Sequence, residues 1–391
     1  MAATLRPPAS ADADATGDAD SDSVAHAYPT LRTKPLAATA MFCSTETSSH
    51  FTHFATVVSV CEVSRIVAIG ASDHSLRFFA VDQIMQPSLR MILTLPNAHT
   101  CCIRDLHLCP NSPSSNRTFL SASEDGNVCA IEPLTCSHSV SSRLRTPDGQ
   151  RAWSVAIGLS SNDLLALGTD DAVHFYWLKQ GVNRLDQAEH IGSFQETFSQ
   201  PVTQLSFNPF SRHTLFASSA DGLVSVFDVH DELDDWDGVT GILSVGADVS
   251  SFGFFSNGDC VWCITRVEEL SFWMEDGSWL GQLYSTRNKL SALHPERKEF
   301  VYLTACEWDQ ETGTLYLAAS ASDGELSVFP IVLNAGERKP QALPPVVRLS
   351  QGHSDIIRHA HAMQTDALGD VETITAAEDG LICLWGPRAN T

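Results

Sequence analysis

Small residues, an acidic turn and an alternating apolar run recur along this chain in a fixed order. The pattern reads Ser-Ala-Ser-Glu-Asp-Gly-Asn-Val at 121–128 and Ser-Ser-Ala-Asp-Gly-Leu-Val-Ser-Val-Phe-Asp at 218–228. It returns as Ala-Ser-Asp-Gly-Glu-Leu-Ser-Val-Phe at 321–329 and Ala-Ala-Glu-Asp-Gly-Leu-Ile-Cys-Leu-Trp at 376–385. Each copy predicts one strand end, a tight turn and a second strand, because glycine accepts the positive φ such a turn needs. Weaker copies lie around Asp73, at Gly168–Trp177, and at Arg266–Trp273, where Val267 stands in place of the aspartate. The turn positions 73, 125, 170, 221, 267, 323 and 379 are 52, 45, 51, 46, 56 and 56 residues apart. Seven units a little longer than about 40–45 residues predict seven four-stranded blades with loop insertions.

The phrases Val202-Thr-Gln-Leu-Ser-Phe-Asn-Pro209, Ala220–Asp228 and Gly352-His-Ser354 with Ala377–Pro387 resemble WD-repeat β-propellers over roughly residues 31–387. The resemblance implies an all-β, seven-bladed propeller with an interaction role and no defined catalytic activity. It also implies that His353, Thr375, Asp379 and Trp385 form the family's structural tetrad. Such a set is buried intact only if every polar member is paired, so a structural role is expected rather than a catalytic Thr–His–Asp. Blade two keeps His99, Ser121 and Asp125 but carries Ile131 where the tryptophan belongs. Blade four keeps Asp221 and Phe227. Blade five, lacking its aspartate, is expected to be the loosest.

Six residues follow Trp385, too few for a further strand. An open propeller edge would expose unpaired backbone groups. The segment from Leu31 to Cys43 is therefore expected to close the last blade, giving a propeller over residues 31–391. Residues 1–30 are low-complexity, acidic and poor in large apolar side chains, and are expected to be a disordered tail. They lack the basic start and apolar run of a signal peptide, and no window reaches the roughly 18 apolar residues of a membrane span. An intracellular protein, nuclear or cytoplasmic, is expected.

Eleven cysteines at irregular spacing argue against a disulfide framework. Several fall in predicted strands and read as small buried hydrophobes. Cys260-Val-Trp-Cys263 has the letters of a metal or redox motif, but residues three apart on a strand face opposite ways. The glycosylation sequon at Asn116 is idle inside a cell. The net charge is −23, from 24 basic and 47 acidic residues. That field repels phosphate backbones and argues against direct nucleic-acid binding, and it favours basic partners. The run from Asp231 to Asp237 reads first as a solvated loop. Its sharper reading is a docking loop anchored by Trp236. Its spacing does not fit an EF-hand.

No phosphate loop, nucleophile elbow or zinc pattern is present, and no cofactor is implied. The leading expectation is thus a non-catalytic scaffold, a monomer within a larger complex, with no membrane attachment. Loops entering the inner strands converge on the channel mouth. They bring Glu124, Asp171, Asp248, Asp355 and Glu378 together and predict an acidic mouth for a basic protein or peptide. Arg104 and Arg358 either pair that ring or orient the partner. A charge-masking escort of a basic protein, or a subunit of a larger assembly, fits this reading. The alternative is an enzyme or small-ligand receptor with its site in the channel, for which His359, His361, Asp105 and Asp355 are the candidates. His359 and His361 share a strand face but show no third metal ligand.

Overall fold

The computed structural model describes residues 38–43, 54–82, 88–109, 118–135, 140–158, 163–211, 213–229, 238–310, 312–333, 338–364 and 371–386. The expected acidic tail, the 231–237 loop with Trp236, and Asn116 lie outside these residues.

The repeat builds seven sheets. Strand β1 (Ala38–Cys43) comes first in the chain and belongs to the last blade. Blade one holds β2 (Ala55–Cys61), β3 (Ile66–Ala71), β4 (Leu76–Asp82) and β5 (Ser88–Leu95). Blade two holds β6 (Ile103–Leu108), β7 (Phe119–Ser123), β8 (Asn127–Ile131) and β9 (Ser142–Arg145). Blade three holds β10 (Ser154–Ile157), β11 (Leu164–Gly168), β12 (Val173–Trp177) and β13 (Glu189–Phe194). Blade four holds β14 (Val202–Phe207), β15 (Thr214–Ser219), β16 (Leu223–Asp228) and β17 (Val239–Ser244). Blade five holds β18 (Val249–Phe255), β19 (Cys260–Thr265), β20 (Leu270–Met274) and β21 (Trp279–Leu283), and is followed by helix α1 (Thr286–Leu293). Blade six holds β22 (Phe300–Asp309), β23 (Thr314–Ala321), β24 (Leu326–Val332), and a divided outer edge, β25 (Gln341–Ala342) and β26 (Val347–Leu349). Blade seven runs from β27 (Ile357–Gln364) through β28 (Val371–Ala377) and β29 (Leu381–Trp385) to β1. Strand β1 pairs antiparallel with β29, Met41 opposite Cys383 and Cys43 opposite Leu381.

Side chains alternate across each strand, so every blade presents two apolar faces. On β12, Phe175 packs toward blade four and Tyr176 toward blade two. The core divides accordingly into seven clusters, one at each blade-to-blade contact around the ring. At the seventh-to-first contact, Met363, Ile374 and Leu384 pack with Val67, Ile69 and Phe79. Cys260 and Cys263 of β19 fall in different clusters, Cys260 toward blade six and Cys263 toward blade four.

Two glycines show why the turns read as they do. Gly324 has φ +81°, and a Cβ there would stand 2.4 Å from the carbonyl oxygen of His353 in the next blade. Gly352 lies against Trp385, where a Cβ would stand 2.5 Å from the indole Cη2. The Gly-His pair that opens the last repeat is thus a packing requirement of the tryptophan.

Candidate functional site

In blade seven, Trp385 Nε1–H donates to Thr375 Oγ1 at 2.7 Å, and Thr375 Oγ1 lies 2.7 Å from His353 Nε2. His353 Nδ1 faces both Asp379 oxygens at 3.3 Å, and Asp379 also accepts the N–H groups of Ser354 and Leu381. One proton arrangement satisfies the chain. The hydroxyl donates to Nε2, and Nδ1–H donates to the carboxylate. Burial alone would raise the Asp379 pKa, but the bonds from His353 and the two backbone N–H groups hold it below the usual range. His353 and Thr375 are therefore fully engaged with each other and offer no free nucleophile. Blade two repeats the set, with His99 Nδ1 3.1 Å from Asp125 and Nε2 2.8 Å from Ser121. Buried Ile131 fills the place of the indole.

Other blades satisfy the same position differently. In blade three, Asp170 accepts from Trp153 Nε1 at 2.9 Å and from Arg151 at 2.8 Å. In blade six, buried Glu325 takes His294 at 2.9 Å and Arg348 at 3.1 Å. Blade five exposes Val267, but its acceptor has moved along the chain. Glu269 takes the N–H of Ser285 at 2.9 Å, and Glu268 reaches Leu303 N–H in blade six. The lost aspartate of blade five is thus replaced by two glutamates.

At the mouth, three of the expected carboxylates meet arginines. Glu124 pairs with Arg104, Asp248 with Arg266, and Glu378 with Arg358. The arginines also stack on aromatic rings. Arg104 and Arg151 lie 4.7 and 5.0 Å from the Trp153 ring centre, and Arg358 lies 4.4 Å from that of Tyr302. Three of the five carboxylates are therefore charge-compensated, and Arg104 and Arg358 are each held on two sides, by a carboxylate and an aromatic ring. Asp171 is exposed and accepts from Gln150, and Asp355 caps the N–H of Ile356.

The channel candidates are also engaged. Asp105 accepts the N–H of Val155 in blade three at 2.8 Å. Burial pushes its pKa up to about 6, against the opposing pull of that bond. It is one of several inward polar groups that tie neighbouring inner strands. Thr56 donates to Ile103 O, Ser154 to Val202 O and Thr304 to Ile357 O, while Gln204 both accepts from and donates to the Phe252 backbone. Burial lowers the pKa of His359 to about 4. His361 instead stands between Glu62 and Glu307. Among the described residues, no group of three or more His, Cys, Asp or Glu has the geometry to hold a metal ion.

A further feature lies on the face opposite the mouth. Between blades four and five there is an open cleft of ≈ 560 Å³. Asp228, Asp259, Glu275 and Asp276 line it, with Met274 and His213. Unlike the mouth, it shows no Lys or Arg paired to these four carboxylates among the described residues. The sequence signalled only the neighbouring run 231–237. The cleft carboxylates come from the end of β16 and from two turns of blade five, spread over about 50 residues, and no linear motif joins them.

Residues 189–228 match the family model described as "WD domain, G-beta repeat". That span begins with the outer strand of blade three and ends with the third strand of blade four. The sequence repeat is therefore offset by one strand from the structural blade. The chain is similar to "WD repeat-containing protein GTS1" of Arabidopsis thaliana, at 25% identity over 293 residues, covering 73% of this chain and 71% of the relative. It is also similar to "WD repeat-containing protein 89 homolog" of Dictyostelium discoideum, at 23% identity over 332 residues, covering 84% and 82%. The phrases at 202–209, 220–228 and 352–387 already resemble WD repeat-containing protein 89.

Proposed function

We propose that this seven-bladed ring, similar to WD-repeat proteins, is a non-catalytic interaction ring whose partner presents a basic segment. The single observation that carries this reading is a contrast in charge compensation. Glu124, Asp248 and Glu378 at the mouth each have an arginine, whereas the four cleft carboxylates between blades four and five have none among the described residues. In a protein of net charge −23, a cleft whose four carboxylates have no Lys or Arg partner among the described residues attracts cations. Lysine and arginine side chains are the complementary chemistry, with Met274 as an apolar floor for their methylene stems. Asp171 and Asp355 extend acidic contact on the mouth face, and Arg358 with Glu378 orients what binds there. The sequence run Asp231–Asp237, with Trp236, follows Asp228 in the chain and is a candidate apolar anchor among carboxylates. Masking a basic protein's charge, alone or as a subunit of a larger complex, is the role these features support.

Affinity purification followed by cross-linking mass spectrometry tests this. Cross-links should join a Lys/Arg-rich partner segment to blades four and five, and capture should fall as salt rises from about 0.1 to 1 M, where the Debye length drops from about 10 to 3 Å. An acidic principal partner, or capture indifferent to salt, contradicts the reading.

A further inference from the structure

The His361 side chain stands in the channel wall on strand β27 of blade seven. Its Nε2 lies 3.3 Å from Glu62, just beyond β2 of blade one. Its Nδ1 lies 3.9 Å from Glu307, on β22 of blade six. A neutral imidazole has one N–H and one lone pair. With a carboxylate at each edge, it can donate to one and must turn its lone pair toward the other. Only the imidazolium suits both. The three residues come from three consecutive blades, and the middle blade is the one that β1 completes from the other end of the propeller chain.

We propose that His361 is a proton-operated clamp on the closing seam of the ring. Protonated, it holds the inner strands of blades six, seven and one together. Neutral, it leaves Glu62 and Glu307 uncompensated beside it.

The surrounding charges leave His361 to this task. Arg65, next to Glu62 on blade one, is committed to Glu372 of β28 at 2.5 Å. Arg358, on the same strand as His361, is committed to Glu378 at the mouth. His359 stays neutral through burial. Strand β23, also packed on β27, contributes Tyr316 as its one titratable side chain. From β22, Glu307 also faces the Ala362 N–H at 3.5 Å. Burial alone would lower the His361 pKa, but the close contact with Glu62 and the charges of both glutamates raise it. The same contact lowers the pKa of Glu62. A raised histidine pKa stabilises fully below the unfolded value of about 6.5 and is lost as pH rises through the folded value. Burial raises the pKa of Glu307, so it takes up a proton first as pH falls, and Glu62 follows in stronger acid. The clamp is therefore strongest while His361 is protonated and both glutamates are still charged.

The test uses the full chain, with His361→Gln and Glu62→Gln, and two readouts. In hydrogen exchange, His361→Gln should speed exchange of β27 and β1 relative to wild type near pH 6, and the ratio should fall toward one as pH rises to about 8.5 and the wild-type imidazole loses its proton. In ¹³C-histidine NMR, His361 should titrate above about 6.5, and Glu62→Gln should move its midpoint down. Equal acceleration at both pH values overturns the clamp. So does a His361 midpoint unmoved by Glu62→Gln, a readout that remains if the glutamine variant does not fold. Exchange that responds to EDTA would assign the site to a metal ion and equally overturn it.

Discussion

Replacing Asp379 with Ala removes the one acceptor shared by His353 Nδ1, Ser354 N–H and Leu381 N–H. The three donors do not suffer equally. The His353 side chain is fully enclosed, so its Nδ1–H finds no water. Ser354 is exposed and can be hydrated in place. One buried donor left unpaired costs about 1–3 kcal/mol, and the lost charge-assisted bonds move the expectation to the upper half of that range. The damage also propagates, because the His353 tautomer fixed by Asp379 is what lets Thr375 donate to Nε2 while accepting from Trp385. Asp171→Ala, which cuts an exposed bond to Gln150, should stay within about 0.5 kcal/mol. The assay is urea denaturation of both variants with equal slopes, read by tryptophan fluorescence. It should be repeated in acid. Asp379 has a lowered folded pKa, so its contribution is present above the unfolded value of about 3.9 and is lost as pH falls through the folded value. The gap between wild type and Asp379→Ala should therefore narrow below about pH 4. Comparable losses at Asp171 and Asp379, or a gap that does not narrow in acid, would refute the hydrogen-bond chain as the cause.

Two further outcomes follow from the same packing. Gly352→Ala should destabilise by about 1–3 kcal/mol through overpacking, since Trp385 is fully buried, hydrogen-bonded and cannot retreat; an unchanged urea midpoint would show that the indole has room. Deleting residues 1–30 should leave the melting temperature nearly unchanged while deleting 1–45 lowers it sharply, because the longer cut removes β1 from β29; equal melting of the two truncations would contradict closure by that strand.

What the sequence made legible was whatever lies within one repeat. The Asp-Gly turns, the small-residue strand ends and the His353–Asp379 spacing are local patterns, and local backbone chemistry decides them. In blade five the sequence showed the missing aspartate at 267 but not that Glu268 and Glu269 accept backbone N–H groups beside it, because a one- or two-residue displacement erases a motif while keeping its chemistry. Contacts between blades were not legible. Arg104 and Trp153, or Tyr302 and Arg358, meet across about 50 residues of chain and only through ring geometry. Of the two roles the sequence left open for Arg104 and Arg358, the structure shows pairing with Glu124 and Glu378, and it adds Arg266 on Asp248, which no local pattern signalled. His359 and His361 look alike in sequence, yet one is buried neutral and the other meets glutamates from blades six and one.

The measurement that bears most directly on the proposed function is calorimetric titration of the full chain with a Lys/Arg-rich peptide, at low and high salt. It should compare wild type with a cleft variant, Asp228→Lys with Glu275→Lys, and a mouth variant, Glu124→Lys with Glu378→Lys. Exposed ion pairs contribute roughly 0–1 kcal/mol each, so reversing two uncompensated cleft charges should weaken binding by about tenfold or more. The mouth variant should lose less, because Arg104 and Arg358 already neutralise those glutamates. Wild-type affinity should fall steeply with salt. Binding that ignores salt, or that survives cleft reversal and is lost at the mouth, would contradict the assignment of the basic partner to the cleft.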